Sequence, residues 1–264
     1  MSSTRTRILA VTGALGGCGA TTLTLLLARS LAAQGERVAV VDADPAGGLG
    51  LHLGDGPGPG LVWGDLPADE TAFRPAHLTR ALPVWRGCRV LTGDDRGGPE
   101  DPGRLAPVLD ALASEQDLVL VDLPRTWSSP PGSETLVLTG RDLRSAVAAR
   151  VRAARAGGAG DATPAPLGLV VRQAGEDLCD AELATFTGCT VLGHLPEDRG
   201  VRQRAALGDD VTSGRGASRR AARLLAEHLH GRPGPAPLPG PAESPRGWVP
   251  QWVPLGTTDP RELG

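Results

Sequence analysis

The feature that most constrains the fold is a glycine-rich turn between a short apolar strand and an apolar helix. Residues 7–12, RILAVT, predict a buried strand, and residues 20–33 predict the helix that follows, with Gly35 as its stop signal. Residues 13–19, GALGGCG, lie between them. Backbone N–H groups of such a turn, together with the helix dipole, can cradle an anionic phosphate. The sequence therefore predicts an α/β fold with an anion site at this turn.

Strand and helix patterns continue to alternate along the chain, which is typical of a mostly parallel sheet. Further strands are predicted at residues 37–42, 88–92, 117–122, 134–139, 167–172 and 190–195. Further helices are predicted at residues 102–114, 142–156, 180–186 and 217–230. Asp142 stands at the expected N-cap of one of them. Residues 45–83 are rich in Gly, Pro and Asp and predict only short helical pieces such as residues 69–81. We expect a doubly wound, three-layer α/β/α domain.

The length of the chain limits the number of domains. Its 264 residues are enough for one α/β domain with a sizeable core, which we predict at residues 1–231. Residues 232–264 are rich in Pro and Gly without periodicity, which predicts a disordered or extended tail. Exposed aromatic side chains such as Trp248 and Trp252 tend to need a contacting surface. For these two we favour packing on the domain or a protein partner over a membrane-interface anchor.

Charge and cysteine content disfavour several classes of function. A formal charge of −3 and a pI near 6.0 disfavour a general nucleic-acid binder, and no specific nucleic acid is predicted. The four cysteines form no C-x-x-C pair and the histidines do not cluster, which disfavours a zinc site. No apolar stretch approaches the roughly 18 residues of a membrane span. We expect a cytoplasmic protein, with peripheral or indirect recruitment to a membrane, pole or septum at most.

The glycine-rich turn also resembles a specific motif. Residues 14–22 read ALGGCGATT, and MinD/ParA-type P-loop ATPases carry the deviant Walker motif GKGGxGK[ST][ST] at the corresponding place. The resemblance implies nucleotide binding through Gly16, Gly17, Cys18, Gly19, Ala20, Thr21 and Thr22. From the residues alone, an alternative stays open in which the glycines make only a tight strand-to-helix turn.

The departures from this motif fall on its two lysines. Ala20 stands where the family has the lysine that contacts the β- and γ-phosphates, and Leu15 replaces the lysine that reaches a partner's nucleotide across a dimer. One charge-assisted hydrogen bond is worth roughly 1.5–3 kcal/mol, and the transition state depends on such contacts still more. All 27 basic residues are arginines, so no other lysine can substitute. We expect weak binding of ATP or ADP with Mg²⁺ and weakened or absent hydrolysis.

Two further segments resemble the family's magnesium and water-positioning elements. Residues 38–54, VAVVDADPAGGLGLHLG, are similar to the second-strand motif, which places Asp42 and Asp44 beside the loop. In active relatives, the residue at the position of Asp44 helps to orient the attacking water. Residues 118–125, LVLVDLPR, look like a Walker B strand, although a strand-end Asp is also a common loop cap. The implied magnesium site consists of Thr21, Asp42 and Asp122, with the carboxylates acting through water.

The late part of the chain resembles the same family. Residues 190–210, TVLGHLPEDRGVRQRAALGDD, are similar to its L-P-E-D segment, which a helix follows, so the resemblance covers about residues 6–230. The CpaE/TadZ-like branch is the most similar one, with its septum-site-determining proteins and its members near Flp/Tad pilus and secretion genes. Where relatives end a strand with an adenine-reading Asn, this chain has Val171 and Arg172.

Four hypotheses of function remain. The first is a MinD/CpaE-like positioning or regulatory protein for septum site selection or for pilus-secretion machinery. Such a protein would be a pseudo-ATPase that acts through protein partners and that could form a homodimer. The second is an active Mg-ATP-dependent ATPase of the same family. The third is a Rossmann-type dinucleotide-binding enzyme, because Asp42 follows the turn at a suitable distance, although G-x-G-x-x-G is lacking. The fourth is a scaffold that binds no nucleotide.

Two smaller features also carry predictions. The arginines of the helix at residues 142–156 are interpreted as a solvated face. Cys18 lies near a helix N-terminus, a setting that can lower the pKa of a thiol. For Cys18 we favour the simpler interpretation that it fills a variable small position of the motif.

Overall fold

The structure of the chain is a computed structural model that describes residues 6–156, 167–172, 177–230 and 232. Its strands are β1 (Arg7–Gly13), β2 (Val38–Asp42), β3 (Val84–Trp85), β4 (Cys88–Leu91), β5 (Leu118–Asp122), β6 (Glu134–Thr139), β7 (Gly168–Arg172) and β8 (Val191–Leu195). Its α-helices are α1 (Ala20–Ala32), α2 (Pro75–Ala81), α3 (Leu105–Ala113), α4 (Leu143–Ala156), α5 (Asp180–Thr187), α6 (Arg199–Leu207) and α7 (Ala217–Leu229). Short 3₁₀ helices lie at Leu49–His52, Trp63–Asp65 and Pro102–Arg104.

These strands form one sheet with the order β3-β4-β2-β5-β1-β6-β7-β8. Neighbouring strands are parallel except β3 and β4, which form an antiparallel edge. The central strands are apolar along most of their length because helices cover both faces of the sheet. In β2 and β5, VAVVD and LVLVD, every residue is buried. The predicted doubly wound, mostly parallel α/β fold is confirmed.

Alternate residues of each strand face opposite helical layers, and this alternation builds two cores. Leu9 and Leu120 pack with α1 and α7 on one face of the sheet. Ala10 and Val121 pack with α2 and α3 on the other. Farther along the sheet, α4 covers this second face through small residues such as Ala149. Helices α1 and α7 therefore share one layer, and the glycine-rich turn lies where α1 begins.

The differences from the sequence prediction are local. The helix predicted at residues 69–81 begins only at Pro75, because proline fits a first helical turn and disfavours helical backbone in the residue before it. The two-residue strand β3 is too short to have a periodicity, and the sequence does not predict it. Asp142 caps α4 as predicted, since its carboxylate accepts from the Ser145 N–H at 2.9 Å and from the Ser145 hydroxyl at 2.6 Å.

The C-terminal predictions fall beyond most of the described chain. Helix α7 ends at Leu229, and the predicted tail, with Trp248 and Trp252, lies outside the described residues. The boundary of the domain near residue 231 therefore stays a prediction. Within the described ranges, no helix combines the length and the apolar character needed to cross a membrane.

The arginines of α4 do not all lie on a solvated face, and for Arg152 that prediction is wrong. Arg144, Arg150 and Arg155 are exposed, but Arg152 is only 5% exposed. Its guanidinium donates to the carbonyl oxygens of Arg125 at 2.6 Å and Trp127 at 3.0 Å, and to the Thr12 hydroxyl at 3.2 Å. Burial lowers the pKa of Arg152, and the like charge of Arg155 lowers it further. Arg152 thus ties α4 to the segment that follows β5.

We expect Arg152→Ala to lower the free energy of unfolding by about 2–4 kcal/mol, because it leaves two carbonyl groups without donors and opens a cavity. Urea denaturation measures this change. Arg152→Lys should recover only part of the loss, since an ammonium lacks the planar fork that reaches several acceptors. Arg144→Ala on the exposed face of α4 is the control, with an expected change within about 0.5 kcal/mol. Equal effects of Arg152→Ala and Arg144→Ala would contradict the structural role of Arg152.

Candidate functional site

Most of the predicted site residues lie at the carboxyl ends of the central strands. β1 lies between β5 and β6, so the chain leaves β1 toward one side of the sheet and later crosses to the other. Such a reversal opens a crevice at the carboxyl ends of parallel strands, where α/β proteins bind ligands. Asp122, the last residue of β5, lies beside Val11 of β1 and Asp42 of β2 in the strand register. The glycine-rich loop, residues 13–19, continues from the same end of β1.

The glycine-rich loop uses backbone conformations that favour glycine. Gly17 and Gly19 have φ angles of 72° and 101°, in the left-handed region. At Gly13 a Cβ would lie 2.8 Å from the carbonyl oxygen of Leu15, too close for a larger residue. Gly19 is the N-cap of α1, and this helix start has neither a described side-chain cap nor an acidic residue in its first turn. The first N–H groups of α1 are therefore left without a side-chain acceptor, as an anion site requires.

A cleft of about 680 Å³ opens in front of this loop. The loop residues predicted to bind nucleotide, Gly16 to Thr22, all line it, as do Asp44 and Asp122. The remaining lining residues are Gly13, Leu15, Pro45, Ala46, His52, Leu123, Pro124, Arg125 and Thr126. This volume is within the range of small-molecule and cofactor sites. All the predicted site residues except Asp42 therefore line the cleft, and Asp42 lies next to Asp122 at the same edge of the sheet.

Asp42 lies behind the cleft and holds the loop that follows β2. One carboxylate oxygen accepts from the Asp44 N–H at 3.1 Å, and the other accepts from the Leu49 N–H at 3.1 Å and the Thr92 hydroxyl at 3.2 Å. Asp42 is not among the described residues that line the cleft. Burial raises the pKa of Asp42, and the hydrogen bonds from Asp44, Leu49 and Thr92 oppose that rise. The geometry thus indicates that Asp42 anchors the loop that follows β2.

Asp122 is the buried carboxylate of the cleft. Burial raises its pKa to about 7, and the neighbouring charges of Asp42 and Asp44 add to the rise, while hydrogen bonding from the Thr21 and Thr24 hydroxyls opposes it. Burial thus disfavours the ionised form more than the two hydroxyl groups favour it. A cation bound next to Asp122 would stabilise the ionised form.

In the metal-free protein, the raised pKa of Asp122 should cost stability as the pH rises from about 4 to about 7, because the folded chain holds a proton that the unfolded chain has released. Asp122→Asn removes this cost. We therefore expect its melting temperature to exceed that of the unaltered chain by a few degrees at pH 8, by clearly less at pH 5 and by least near pH 4, measured in EDTA. The exposed Asp110→Asn is the control. A lower melting temperature for Asp122→Asn at pH 8 would show that the carboxylate is already well partnered.

Arg125 is a site residue that the sequence analysis quoted but gave no role. It lines the cleft three residues after Asp122, and a Cβ on Gly16 would lie 4.0 Å from its Nε atom. Its carbonyl oxygen is the acceptor that Arg152 binds. Its guanidinium forms no hydrogen bond or ion pair with the described residues. The segment after β5 therefore presents a positive charge to the cleft.

Arg172 braces the glycine-rich loop from behind. At the position where the family resemblance expects an adenine-reading Asn, its Nη1 donates to the Cys18 carbonyl oxygen at 2.6 Å. Its Nη2 lies 3.5 Å from Glu197 Oε1, so a carboxylate shares its charge. Burial raises the pKa of the Cys18 thiol, which corrects the alternative of a lowered pKa. The thiol contacts the Leu138 carbonyl oxygen at 3.7 Å. Cys18 therefore fills space in the loop.

His52, to which the sequence analysis gives no role, also lines the cleft. It ends the 3₁₀ helix at Leu49–His52, which the hydrogen bond between Asp42 and the Leu49 N–H ties to β2. Burial lowers the pKa of His52, which favours the neutral ring. Its Nδ1 atom is buried without a hydrogen-bond partner among the described residues. No periodicity or motif marks this position in the sequence.

The residues of the cleft fit magnesium better than a transition metal. Thr21 and Asp122 offer a hydroxyl and a carboxylate, the hard oxygen donors that Mg²⁺ prefers. Among the described residues, no group of three or more His, Cys, Asp or Glu side chains could hold a metal alone. Mg²⁺ keeps several waters and takes further ligands from substrate phosphates, so a small protein set suffices.

Comparison with known proteins assigns the fold and site to a family. The model of the CobQ/CobB/MinD/ParA nucleotide binding domain matches residues 9–211, which include the glycine-rich loop, Asp44 and Asp122. The chain belongs to this family of MinD/ParA-like nucleotide-binding domains.

Individual relatives agree with this membership. An uncharacterized protein of Mycobacterium tuberculosis is 34% identical over 204 residues, 71% of this chain and 54% of that protein. The chain thus spans about half the length of this relative. The chromosome partitioning protein ParA of Myxococcus xanthus is 32% identical over 130 residues, 45% of this chain and 44% of that protein. The septum site-determining protein MinD of Pyrococcus horikoshii, solved with Mg-ADP, has the same fold, with a TM-score of 0.66, 22% identity and coverage of 86% of this chain and 96% of that one.

Proposed function

We propose that this chain is a MinD/CpaE-like positioning or regulatory protein that binds Mg-ATP or Mg-ADP weakly and hydrolyses ATP slowly or not at all. The observation that carries the proposal is the cleft itself. It combines an uncapped helix start and a glycine-rich loop with a buried carboxylate, while Ala20 and Leu15 stand at the lysine positions of the motif. The solved relative with Mg-ADP supports the same class of ligand.

The residues of the cleft divide the work of binding in this proposal. The loop N–H groups from Gly16 to Thr22 hold the phosphates, and Thr21 and Asp122 hold Mg²⁺, the carboxylate through water. Asp42 acts on the metal only at a distance, because its oxygens are occupied by the loop after β2. Asp44 stands at the cleft wall, where it would orient water in an active enzyme. Binding depends mainly on the backbone, and hydrolysis lacks the charges it needs.

Arg125 partly replaces the missing lysines in this proposal. It approaches the loop from the end of β5, on the Gly16 side, and its guanidinium has no competing carboxylate among the described residues. Arginine binds phosphate through a planar fork, whereas lysine acts as a point charge. A contact between Arg125 and phosphate would stabilise the bound nucleotide. Arg125 lies outside the start of α1, so it would approach the phosphates from a different position than the lysine of the motif. This geometry supports binding with poor catalysis.

We expect Ala20→Lys to raise the affinity for Mg-ATP by roughly ten- to a hundredfold, because it adds one charge-assisted hydrogen bond at the start of α1. Isothermal titration of the purified chain with Mg-ATP, Mg-ADP and NAD measures this change. Ala20→Met has a similar length without the charge and should show no gain.

The same titrations separate the competing functions. Binding of NAD with ATP and ADP silent would favour the dinucleotide-binding alternative. Silence toward every ligand in the unaltered chain and in Ala20→Lys would favour a scaffold. An ATPase of ordinary turnover that disappears in Asp44→Ala would favour an active enzyme of the same family.

Arg125→Gln should weaken binding of Mg-ATP by roughly tenfold, the loss of one charge-assisted contact, and should weaken binding of adenosine far less. Competition against a fluorescent ATP analogue gives both values. Arg144→Gln removes an equal charge from exposed α4 and should leave binding unchanged. Equal affinities of Arg125→Gln and the unaltered chain would remove Arg125 from the site without affecting the proposed binding of nucleotide.

The cellular part of the proposal rests on family membership and on the resemblance of the loop and L-P-E-D segments to the CpaE/TadZ-like branch. Relatives that position chromosomes or septa support a role in septum site selection or in a pilus-secretion machine, carried out through protein partners. A homodimer of this chain would depend little on ATP, because Leu15 cannot reach a partner's nucleotide as a lysine would.

A further inference from the structure

A second concave surface lies on the face of the molecule that α1 and α7 share. The arginine groove, as we call it, has a volume of about 510 Å³ and runs between the C-terminal half of α1 and α7. Its charged lining residues are Arg29, Arg215, Arg219, Arg220, Arg223 and Glu227. Arg29 follows Ala20 by nine residues, so the groove lies roughly 14 Å along α1 from the cleft. The motifs quoted for the family resemblance, at residues 14–22, 38–54, 118–125 and 190–210, and the residues that line the proposed nucleotide site lie outside this groove.

Positive charge in the arginine groove is only partly neutralised within the molecule. Arg29 donates to the Thr212 carbonyl oxygen at 2.8 Å, but its nearest carboxylate, Asp210, is 3.9 Å away. That same carboxylate lies 2.7 Å from Arg86 and is shared between the two arginines. Glu227 contacts Arg223 at 3.7 Å in an exposed pair along α7, a kind of pair that contributes little.

The other arginines of the groove have no acidic partner among the described residues. Arg219 donates to the Gly214 carbonyl oxygen at 2.6 Å, which fixes its direction and leaves its charge intact. Arg215 and Arg220 are exposed, and their guanidinium groups form no hydrogen bond or ion pair with the described residues. Burial lowers the pKa of Arg29, the like charges of Arg219 and Arg86 lower it further, and Asp210 opposes this. The groove therefore holds several guanidinium groups with few carboxylates beside them, which favours an anionic ligand.

We propose that the arginine groove binds a short acidic segment of a partner protein. Guanidinium groups form bidentate hydrogen bonds with carboxylates, so several arginines along one groove match Asp or Glu side chains spaced along a peptide. Ser30 and Gln34 also line the groove. Their neutral polar side chains can form hydrogen bonds with a peptide backbone, for which they are better suited than further charged groups would be.

The size and the surroundings of the groove favour a peptide over a larger polyanion. The whole chain carries a formal charge of −3, so a DNA duplex or an anionic membrane would meet repulsion outside the groove. The exposed Asp209 precedes the α7 segment, and the exposed Glu227 lies toward the other end of α7. A narrow acidic peptide can occupy the groove between these acids, whereas a broad surface has to cover them.

The test uses a short fluorescein-labelled peptide of alternating Glu and Ser, with the matched Gln and Ser peptide as the uncharged probe. Fluorescence anisotropy with the full chain, at fixed salt, measures binding. We expect Arg215→Gln/Arg220→Gln to weaken binding of the acidic peptide at least about tenfold, since two charge-assisted contacts are lost. Both residues are exposed, so the fold should persist, which circular dichroism checks.

A matched double variant distinguishes a site from general attraction. Arg144→Gln/Arg199→Gln removes the same charge at exposed positions outside the groove, and its binding should change by no more than about twofold. An equal loss in both double variants, or no binding of the acidic peptide at all, overturns the proposal. Tighter binding of duplex DNA or of phosphatidylserine vesicles, lost in Arg215→Gln/Arg220→Gln, also overturns it. None of these outcomes depends on whether the cleft binds nucleotide.

Discussion

Two carboxylates at the ends of adjacent parallel strands are the constraint around which the site is arranged. The register of β2 and β5 places Asp42 beside Asp122, and helices on both faces of the sheet bury both groups. Asp42 is compensated by two N–H groups and a hydroxyl, and so fixes the loop after its strand. Among the described residues, Asp122 accepts from the Thr21 and Thr24 hydroxyls, and burial still raises its pKa, so a bound cation would stabilise its ionised form. The same sheet edge thus holds one carboxylate that anchors a loop and one that faces the cleft.

Much of the framework could be predicted because it depends on patterns that are local in the sequence. Apolar strands, the glycine-rich loop and the Asp142 cap each leave a signal within a few residues. Arg152 shows the limit of such patterns, since its side chain is buried by contacts with residues up to 140 positions away. Asp42 and Asp122 both end apolar strands, and only the three-dimensional positions of Leu49 and Thr92 distinguish an anchor from a cleft residue. Arg125 had a weak signal, an arginine three residues after a strand-end Asp, but its approach to Gly16 depends on the fold.

The absence of lysine from the chain changes how positive charge is distributed. A lysine in the first turn of α1 would place its charge at the helix start, on an element that the sheet holds rigidly. Here the charges nearest the loop come from other elements, Arg125 after β5 and Arg172 at the end of β7. Arg172 donates to the Cys18 carbonyl oxygen and pairs with Glu197, so it stabilises the conformation of the loop more than it attracts anions. Electrostatic attraction of an anion to the cleft thus depends on Arg125, in the segment whose backbone Arg152 of α4 holds.

That dependence on Arg152 has a consequence for which local openings of the fold would change the cleft. The strand β1, the segment after β5 and the helix α4 are distant in sequence, and a single guanidinium joins all three. The Arg125 carbonyl oxygen is held by Arg152 of α4, whereas the glycine-rich loop is held by Arg172 at the end of β7. A local opening that detached α4 would therefore release the segment that carries Arg125, the positive wall of the cleft, without breaking the contact of Arg172 with the loop.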